Sequence, residues 1–297
     1  MVNATLNEFR LFLKQRKIMS HLFVLFVPIL MLAQDQFMTQ AHEGEHWGYE
    51  PENGPSTWGG LCQTGKRQSP INIQKDCFNG NKTPKITFEN YDKNGSVTMT
   101  NSGHSVMISG FNNWTLQPFI SDGGLGSKYM LNQFHFHWSQ NTNGSEHTVD
   151  GEHFDAELHM VHIKEGLSFS EASNSSDGLA VLGIFYKIGH NGHSMLALQN
   201  GLKEVTKKDA SAQIENYVPA VNLPDHLEMF FRYNGSLTTP ECNEAVVWTV
   251  FAKRLSISSN QIKLLRQIQG PNGKVLNSNV RPRCHYQKDG EFVLLTN

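Results

Sequence analysis

The sequence predicts a mainly β domain of the α+β type, with strands spread along the chain and a few short surface helices. Two segments, Gln133–Trp138 and Glu157–His162, alternate polar and apolar residues with the period of two that is typical of a β-strand. A third segment, Leu179–Tyr186, is continuously apolar, which indicates a strand buried on both faces. The 25 glycines and 11 prolines indicate many turns. Because no linker or internal repeat separates the strands, we expect a single domain built around a mixed sheet.

The first residues, 1–33, are predicted to form a signal peptide. Leu22–Ala33 is apolar apart from one proline and follows basic residues. An apolar run of about 12 residues is too short to cross a bilayer, which takes roughly 20, but it suits the core of a signal peptide. Met19 is an alternative start, and cleavage after Ala33 and after Ala41 both fit. The mature domain is then predicted to cover 42–297.

Composition excludes several classes of partner. The formal net charge is -2, and Lys and Arg are scattered singly. No basic stripe exists that could follow phosphates, so we expect neither nucleic acid nor an anionic membrane as a partner. The C-terminus has no apolar tail of anchor length. We therefore expect a secreted, extracellular, soluble protein; the sequence does not determine its oligomeric state.

The acceptor sequons for glycosylation and the cysteine content agree with secretion. The cysteines, Cys62, Cys77, Cys242 and Cys284, suit an oxidising compartment. A bridge between Cys62 and Cys242 would close a loop of about 180 residues and contribute roughly 5 kcal/mol at most. Cys77 and Cys284 would then form a bridge, stay reduced, or link two chains. Acceptor sequons predict a glycoprotein; they lie at Asn3, which is lost with the signal peptide, at Asn81, Asn94, Asn113, Asn143 and Asn174, and at Asn234, where we expect no glycan.

The N-terminal half of the mature chain contains a wrap followed by short strands. His46–Trp58 is rich in aromatic residues, Gly and Pro, and is predicted to lack regular structure. Gln68–Ile73 is predicted to be a short strand entered through a proline. Ser96–Ser109 alternates weakly, and its predicted inward positions are Val97, Met99, Val106 and Ile108.

The C-terminal half is predicted to contain two helices and two further strands. Ser194–Lys207 has apolar residues at helical spacing and is predicted to form one amphipathic surface helix. Ser258 or Ser259 can cap a second helix that runs through Gln267. The predicted strands flank the turn Asn234–Asn243, and they are Phe230–Tyr233 and Ala245–Phe251.

A His-x-His pair lies on one face of the first alternating segment. Because alternate residues of a strand point to the same side, His135 and His137 share a face with Gln133. In the second segment His159 shares a face with Glu157. If the two strands pair, three imidazoles converge and leave a fourth tetrahedral position open, which is typical of a catalytic zinc site. Gln133 and Glu157 each lie two residues from a histidine and can orient its second ring nitrogen.

Two other interpretations of these histidines fit the sequence less well. The first is an exposed strand face that binds nothing, but three histidines among apolar residues are costly to bury unless they are paired or ligated. The second is a cupin metal site, since Glu146 follows the His-x-His pair. A cupin expects a glutamate closer to the histidines and a later Pro-x-Gly-x-x-His segment, which this sequence lacks.

Taken together, the motifs make the chain resemble an α-class carbonic anhydrase over nearly all of the mature sequence. The blocks that carry this resemblance are His46–Tyr49, Lys66–Pro70, Asn101–His104, Gln133–Trp138, Gly144–Asp150, Ala156–His162, Gly178–Phe185, Tyr233–Pro240, Val247–Trp248 and Asn279–Pro282. The resemblance implies a ten-stranded, mostly antiparallel twisted sheet with Zn²⁺ at the base of a conical cleft. His135, His137 and His159 match the family's zinc ligands.

The implied activity is that of a zinc lyase, the reversible hydration of carbon dioxide to bicarbonate and a proton. In the family, zinc-bound hydroxide attacks the substrate and a histidine, here His104, transfers the proton. Thr238 matches the residue that accepts a hydrogen bond from the hydroxide and passes its own proton to Glu146. Esterase activity on activated esters and inhibition by sulfonamides or anions are also implied.

Further residues match the lining of the family's cleft. Thr239 would line the wall beside Thr238, and Tyr49 would help to order waters. Cys62 and Cys242 match the disulfide of the family's extracellular members. The apolar pocket that would hold carbon dioxide is formed in the resemblance by Val161, Val181, Leu237 and Trp248.

Some positions depart from the family pattern. They put the rate and inhibitor affinity in doubt rather than the reaction, and they are Ser102, Met107, Ser109, Glu241 and Val280. The alternative function is a catalytically silent carbonic-anhydrase-like module that serves as a secreted binding or matrix protein. Silent relatives usually lose a ligand histidine, whereas this chain keeps all three ligands together with Thr238 and Glu146.

Overall fold

The computed structural model describes residues 47–74, 85–190, 192–284 and the backbone of 293–295. The predicted signal peptide, its cleavage sites, Cys77 and the sequons at Asn3 and Asn81 lie outside these ranges. From Trp47 onward the chain forms one compact unit, as expected for a single domain.

Strands dominate the described residues. In chain order they are β1 (Asn72–Ile73), β2 (Ile86–Glu89), β3 (Gly95–Asn101), β4 (Val106–Ser109), β5 (Phe119–Asp122), β6 (Tyr129–Trp138), β7 (Thr148–Val149), β8 (Ala156–Lys164), β9 (Leu179–Ile188), β10 (Ser211–Tyr217), β11 (Phe230–Gly235), β12 (Val246–Phe251), β13 (Leu255–Ile257) and β14 (Val293–Leu295). The prediction of a mainly β fold is confirmed. The segment 68–73 forms a shorter strand than predicted, because Gln68 and the backbone N–H of Ser69 are bonded to the loop around Ser236 and Cys242 instead.

A large mixed sheet runs through the domain in the order β10-β3-β4-β6-β8-β9-β12-β11-β14, with β2, β5 and β13 paired beside this path. Most pairs are antiparallel; β9 pairs in parallel with β12 and β13. The described residues give this sheet twelve strands rather than ten, since segments as short as β13 also pair. β6, β8 and β9 occupy its centre, and both faces of the sheet are covered there.

Helices are short within the described ranges. They are α1 (Leu61–Thr64), α2 (Phe169–Ser173), α3 (Gln199–Glu204) and α4 (Ser259–Leu265), with 3₁₀ turns at Phe111–Asn113, His193–Leu198 and Pro219–Asn222. None of them has the length and hydrophobicity needed to cross a bilayer.

Two helix predictions need correction. The segment 194–207 is not one helix: a 3₁₀ turn leads into α3, which contains the poor helix former Gly201 and ends at Glu204. Ser258 caps α4 through a capping box with Gln261, as one of the two predicted caps. The helix ends at Leu265 rather than Gln267, because the chain turns back to pair Gln269 with Val275.

The sheet separates two apolar cores, and alternation along the central strands supplies both. On one face, aromatic and aliphatic side chains of β6, β8 and β9 pack under α3 and α4; this core includes Phe134, Phe136, Trp138, Leu158, Met160, Leu182 and Ile184. The predicted inward residues Val97, Met99, Val106 and Ile108 are buried in the same core. On the other face, Val161, Val181 and Trp248 belong to a second core beside the histidines. Each fully buried aromatic side chain contributes about 1.5–3 kcal/mol by burial.

One buried histidine on β8 has no part in the cleft. His162 is fully buried, and its Nδ1–H donates to the carbonyls of Met160 and Ala180 at 3.0 and 3.1 Å. Its Nε2 must then accept from the Tyr91 hydroxyl. Burial lowers the pKa of His162 from 6.5 to about 4. The side chain is therefore neutral in the folded protein near neutral pH.

Because the pKa of His162 is lowered, we predict that this residue makes the free energy of unfolding decrease at acidic pH. As pH falls from about 6.5 to about 4, the unfolded chain takes up a proton that folded His162 does not, so the free energy of unfolding decreases, in total by about 3 kcal/mol. We expect His162→Gln to show a smaller loss over this window. Urea unfolding at pH 7 and pH 4.5 measures it; equal pH dependence in both proteins would contradict the assignment.

Candidate metal centre

Pairing of β6 with β8 brings the three histidines together. The antiparallel register places His135 opposite His159 and His137 opposite Glu157. One potential ligand nitrogen from each histidine lies within 4.8 Å of those of the other two. The convergence predicted from the two alternating segments is therefore present in the structure.

A bulge in β6 sets the face on which these histidines lie. The register with β8 shifts between Leu131 and Gln133, leaving Asn132 as the extra residue. Before the bulge Tyr129 and Leu131 point into the main core, whereas after it the even-numbered aromatic residues from Phe134 onward do so. Bulges re-aim side chains in this way next to functional sites. If the strand alternated regularly through Asn132 with no bulge, His135 and His137 would point into the core.

Each imidazole is oriented by a hydrogen bond to an acceptor. His135 Nδ1 lies 2.9 Å from Gln133 Oε1, and His159 Nε2 lies 2.9 Å from Glu157 Oε1, which are the two partners expected from sequence. His137 Nδ1 lies 2.8 Å from the backbone carbonyl oxygen of Asn279. That third partner is a main-chain atom 142 residues away, and no side-chain pattern in the sequence predicts it.

These acceptors fix the tautomers and so identify the nitrogens left for a metal. Because amide, carboxylate and carbonyl oxygens accept, the bonded nitrogens carry the hydrogens. The free lone pairs are then at His135 Nε2, His137 Nε2 and His159 Nδ1. His137 Nε2 is buried and has no hydrogen-bond partner. A buried acceptor without a partner is costly, and a metal ion would satisfy it.

The surroundings favour the neutral form of His135 and His137. Burial lowers the pKa of His135 well below its usual value, and the neighbouring imidazoles of His137 and His159 lower it further. Burial likewise lowers the pKa of His137, against the opposing charge of Glu146. Metal ligation requires a neutral imidazole, so His135 and His137 are prepared to bind a cation without first releasing protons.

Glu157 anchors a buried chain of hydrogen bonds behind the histidines. Its Oε2 accepts the backbone N–H groups of Glu146 and His147, both at 2.8 Å, and its Oε1 accepts His147 Nδ1 at 2.7 Å. The chain continues from His147 Nε2 to the Tyr233 hydroxyl at 2.6 Å and from there to Ser69 Oγ at 2.9 Å. Burial acts to raise the pKa of Glu157, but the charges and hydrogen bonds of His147 and His159 outweigh it and hold the pKa well below normal.

His147 is not singled out by the sequence pattern, although it lies in a matching block beside Glu146. His147, Glu157 and His159 are also close enough together to hold a metal. Their facing atoms, however, already bond to one another. The three β-strand histidines are therefore the metal-binding candidate.

Two glycines, Gly183 and Gly144, leave space for neighbouring atoms that a side chain would displace. A Cβ at Gly183, opposite His159 in the register, would lie 3.2 Å from Glu157 Oε1. A Cβ at Gly144 would lie 2.0 Å from the Asp155 carbonyl oxygen. Only glycine lets the loop that carries Glu146 lie this close to β8.

Glu146 lies beside the histidines as predicted. It is fully buried, its Oε1 accepts the backbone N–H of Arg281 at 2.8 Å, and its Oε2 is 3.8 Å from His159 Nδ1. Oε2 has no hydrogen-bond partner. The hydrogen bond expected from Thr238 is thus not formed to this oxygen in the structure, and the role of Thr238 stays a prediction.

Thr238 is buried in the loop after β11, and a disulfide braces that loop. Cys62 and Cys242 are bonded, with Cα atoms 5.1 Å apart and a sequence separation of 180, which confirms the implied pairing. The Cys242 N–H donates to the Thr239 carbonyl at 2.8 Å. Glu241, which departs from the family pattern, follows Pro240 through a cis peptide bond.

The remaining cysteine of the described residues, Cys284, is a half-buried free thiol. Burial raises the pKa of this thiol.

The residues predicted to hold substrate come together beside His159. Val161 pairs with Val181, which pairs with Trp248 on the next strand. Leu237 packs against the same core. The Trp248 ring centroid is 4.7 Å from that of His159. An apolar wall therefore adjoins the metal-binding candidate.

His104 lies in the turn between β3 and β4. Its ring stacks on Trp47, with centroids 3.8 Å apart and planes 13° apart. Burial raises the pKa of Tyr49 well above its normal value, and the charge of the nearby Glu146 raises it further. Two residues of β4 that depart from the family pattern, Met107 and Ser109, pair with His135 and Gln133. A third such residue, Ser102, lies before β4, and its hydroxyl bonds to the backbone of Ser105 within the turn.

Comparison with known proteins gives a consistent family. The model of eukaryotic-type carbonic anhydrase matches residues 53–289. A putative carbonic anhydrase 5 of Caenorhabditis elegans is 39% identical over 267 residues, covering 89% of this chain and 86% of the relative. Carbonic anhydrase 7 of Mus musculus is 40% identical over 233 residues, covering 76% and 87%. Carbonic anhydrase 1 of Mus musculus is 36% identical over 245 residues, covering 80% and 93%.

These matches extend well beyond the histidine motifs. The matched range begins before the β1 segment and includes every strand from β1 to β13, so it covers the sheet apart from β14 and includes the candidate metal centre. The chain therefore belongs to the eukaryotic-type, α-class carbonic anhydrase family.

Proposed function

We propose that this chain binds Zn²⁺ through His135, His137 and His159 and catalyses the reversible hydration of carbon dioxide. The family as a whole supports carbon dioxide as the substrate class. The single observation that carries the metal proposal is the convergence of three imidazoles whose second nitrogens are already committed, which leaves His137 Nε2 buried and unsatisfied. Three nitrogen donors and one open position are the ligand set of a catalytic zinc site.

Bound Zn²⁺ would lower the pKa of a water ligand to about 7, which is the established value for carbonic anhydrase, and so supply a nucleophile at neutral pH. The protein's own part is to hold and orient. Gln133, the Asn279 carbonyl and Glu157 fix the three rings, and such partners commonly affect metal affinity by about 10–100-fold.

The apolar wall supplies a place for substrate. Carbon dioxide is linear and has no net dipole, so it is bound by shape and by exclusion of water rather than by hydrogen bonds. Val161, Val181 and Trp248, with Leu237, form such a surface beside His159. Thr239 would line the edge of the same surface.

Thr238 and Glu146 would orient the attacking oxygen. Glu146 Oε2 is a buried acceptor that lacks a donor, and Thr238 is buried in the loop that the disulfide braces. If Thr238 donates its proton to Glu146, its Oγ1 can only accept from the nucleophile. This arrangement directs a lone pair of the nucleophile to the substrate carbon.

His104 would carry the released proton to buffer. An imidazole titrates near neutral pH and can both accept and release a proton there. The stacked position on Trp47 holds the ring at a defined place in its turn. His104 does not ligate the proposed metal, so its loss should slow proton release more than it affects the hydration step.

The first prediction concerns the reaction itself. Purified mature protein with one Zn²⁺ per chain should hydrate carbon dioxide, with a rate that rises through an apparent pKa near 7, and a sulfonamide should inhibit it. Stopped-flow assays from pH 6 to 9, with zinc measured on the same sample, test this. Full zinc occupancy without turnover would favour the alternative of a silent binding module.

The second prediction concerns the ligands. His159→Gln should lose most bound zinc and with it hydration activity, because two imidazoles form an incomplete site. The matched control is His162→Gln, a buried histidine on the same strand whose hydrogen bonds lie outside the cleft. Metal analysis after dialysis compares the two; retention of zinc by His159→Gln would refute the ligand assignment.

The third prediction concerns orientation. Thr238→Val removes the hydroxyl at nearly constant volume and should lower kcat/KM on the order of 100-fold with zinc retained, as for other lost orienting hydrogen bonds. Thr249→Val, a buried threonine on β12 bonded to Arg232, is the control and should keep its rate. Equal rates for the two variants would argue against the role of Thr238.

We also propose that the protein is secreted, and the Cys62–Cys242 disulfide supports this compartment. Eukaryotic cells that express the full chain should release a glycosylated product whose N-terminus follows Ala33 or Ala41, whereas a chain that begins at residue 42 should stay inside. N-terminal sequencing and peptide mapping without reduction provide the readouts. An intracellular product with its first 33 residues intact would contradict the proposal.

A further inference from the structure

Asn279 joins the strand that carries two ligands to the turn that carries His104. Its side chain is fully buried. Its Nδ2 donates to the carbonyl oxygens of His104 at 3.1 Å and Phe136 at 2.8 Å, and its Oδ1 accepts the N–H of Trp138 at 2.8 Å. The backbone carbonyl of the same residue accepts His137 Nδ1 at 2.8 Å. One residue thus contacts the His104 turn and three consecutive residues of β6.

The turn depends on such side-chain bonds because the sheet ends there. The pairing of β4 with β6 stops at Met107 and His135, so the chain before β4 leaves the ladder. The Phe136 carbonyl is then met by two side chains, Ser105 Oγ at 2.6 Å and Asn279 Nδ2. These bonds replace the backbone ladder between the turn and the ligand strand.

A second buried asparagine holds the opposite side of the turn. Asn101 Oδ1 accepts the Gly103 N–H at 2.8 Å, and its Nδ2 donates to the carbonyls of Thr206 and Gln269. Asn101 therefore ties the turn to the α3 and α4 side of the molecule. Of these two asparagines, Asn279 is the one whose contacts include β6 and a ligand histidine.

We infer that Asn279 is a positioning residue that fixes His104 relative to the metal ligands, so that proton transfer depends on its amide. This inference rests on the proposed function. Both amide hydrogens of Asn279 are committed, one to the turn and one to β6, which sets the separation of the two elements. An error of about 1 Å in the placement of a reacting group can cost on the order of 100-fold in rate.

The two roles of Asn279 can be separated by mutation. Asn279→Ala removes the amide bonds to His104, Phe136 and Trp138, while the backbone carbonyl that orients His137 remains. Ser105 still bonds to Phe136 in the variant. We therefore expect the hydration step, reported by kcat/KM, to change less than about twofold, while kcat in dilute buffer falls about tenfold, a part of what a complete proton-transfer group contributes.

The kinetic test has a matched control and a reference background. Asn222→Ala removes another fully buried asparagine, whose Nδ2 bonds to Tyr217, and it should leave the ratio of kcat to kcat/KM unchanged. Added imidazole should restore kcat in Asn279→Ala. In a His104→Ala background, Asn279→Ala should cause no further loss of kcat, as a double-mutant cycle requires for a residue that acts through His104. Independent, additive losses would overturn the inference.

A structural readout distinguishes this inference from the proposed function. In zinc-free protein the ring current of Trp47 should shift the His104 ring protons, and NMR should show this shift reduced in Asn279→Ala and retained in Asn222→Ala. Asn279→Asp, which keeps the acceptor for Trp138 but lacks the donors, should behave like Asn279→Ala and serves if the alanine variant does not fold. Unchanged His104 shifts in both variants would overturn the positioning role, whereas an inactive wild type with the expected shifts would overturn only the proposed reaction.

Discussion

The antiparallel pairing of β6 with β8 is the interaction on which the rest of the site depends. It places His135 opposite His159 and His137 opposite Glu157, so all three histidines and Glu157, the acceptor that orients His159, come from two alternate rungs of one ladder. The strands lie at the centre of the sheet, with an apolar core on each face. Sites built on such rigid elements hold their groups more precisely than sites on loops.

The buried charges around the site are consistent with the cation proposed above. Glu146 and Glu157 are both fully buried, and the ligand imidazoles of His135 and His137 are held neutral by burial. Buried carboxylates are costly unless they are paired or hydrogen-bonded. Backbone N–H groups and His147 compensate Glu157, but Glu146 Oε2 lacks a donor. A bound cation would lower the cost of that second carboxylate and would satisfy His137 Nε2 at the same time.

The sequence predicts the local part of this site and misses the rest for identifiable reasons. The period of two between Gln133 and Trp138 predicts the ligand face correctly because it is a property of a single strand. The bulge at Asn132 is not predicted, since it appears only when β6 is aligned against β8. The Asn279 carbonyl is a backbone acceptor brought in by tertiary structure, and any residue type can offer one. Helix ends at Glu204 and Leu265 are likewise decided by packing and by a bridge outside the helix.

The three histidines are held in place by different interactions from those that hold the Thr238 loop and the His104 turn. Metal binding and proton transfer therefore depend on different parts of the structure. The three ligands are fixed by backbone ladders, which unfold only with the central sheet. The Thr238 loop and the His104 turn lie outside those ladders; the first is braced by the Cys62–Cys242 bridge and the second by buried amides. A change in either brace can therefore alter orientation or proton transfer while the metal ligands stay in place. Asn279 contributes to both, because its side chain bonds to the His104 turn and its backbone carbonyl orients His137.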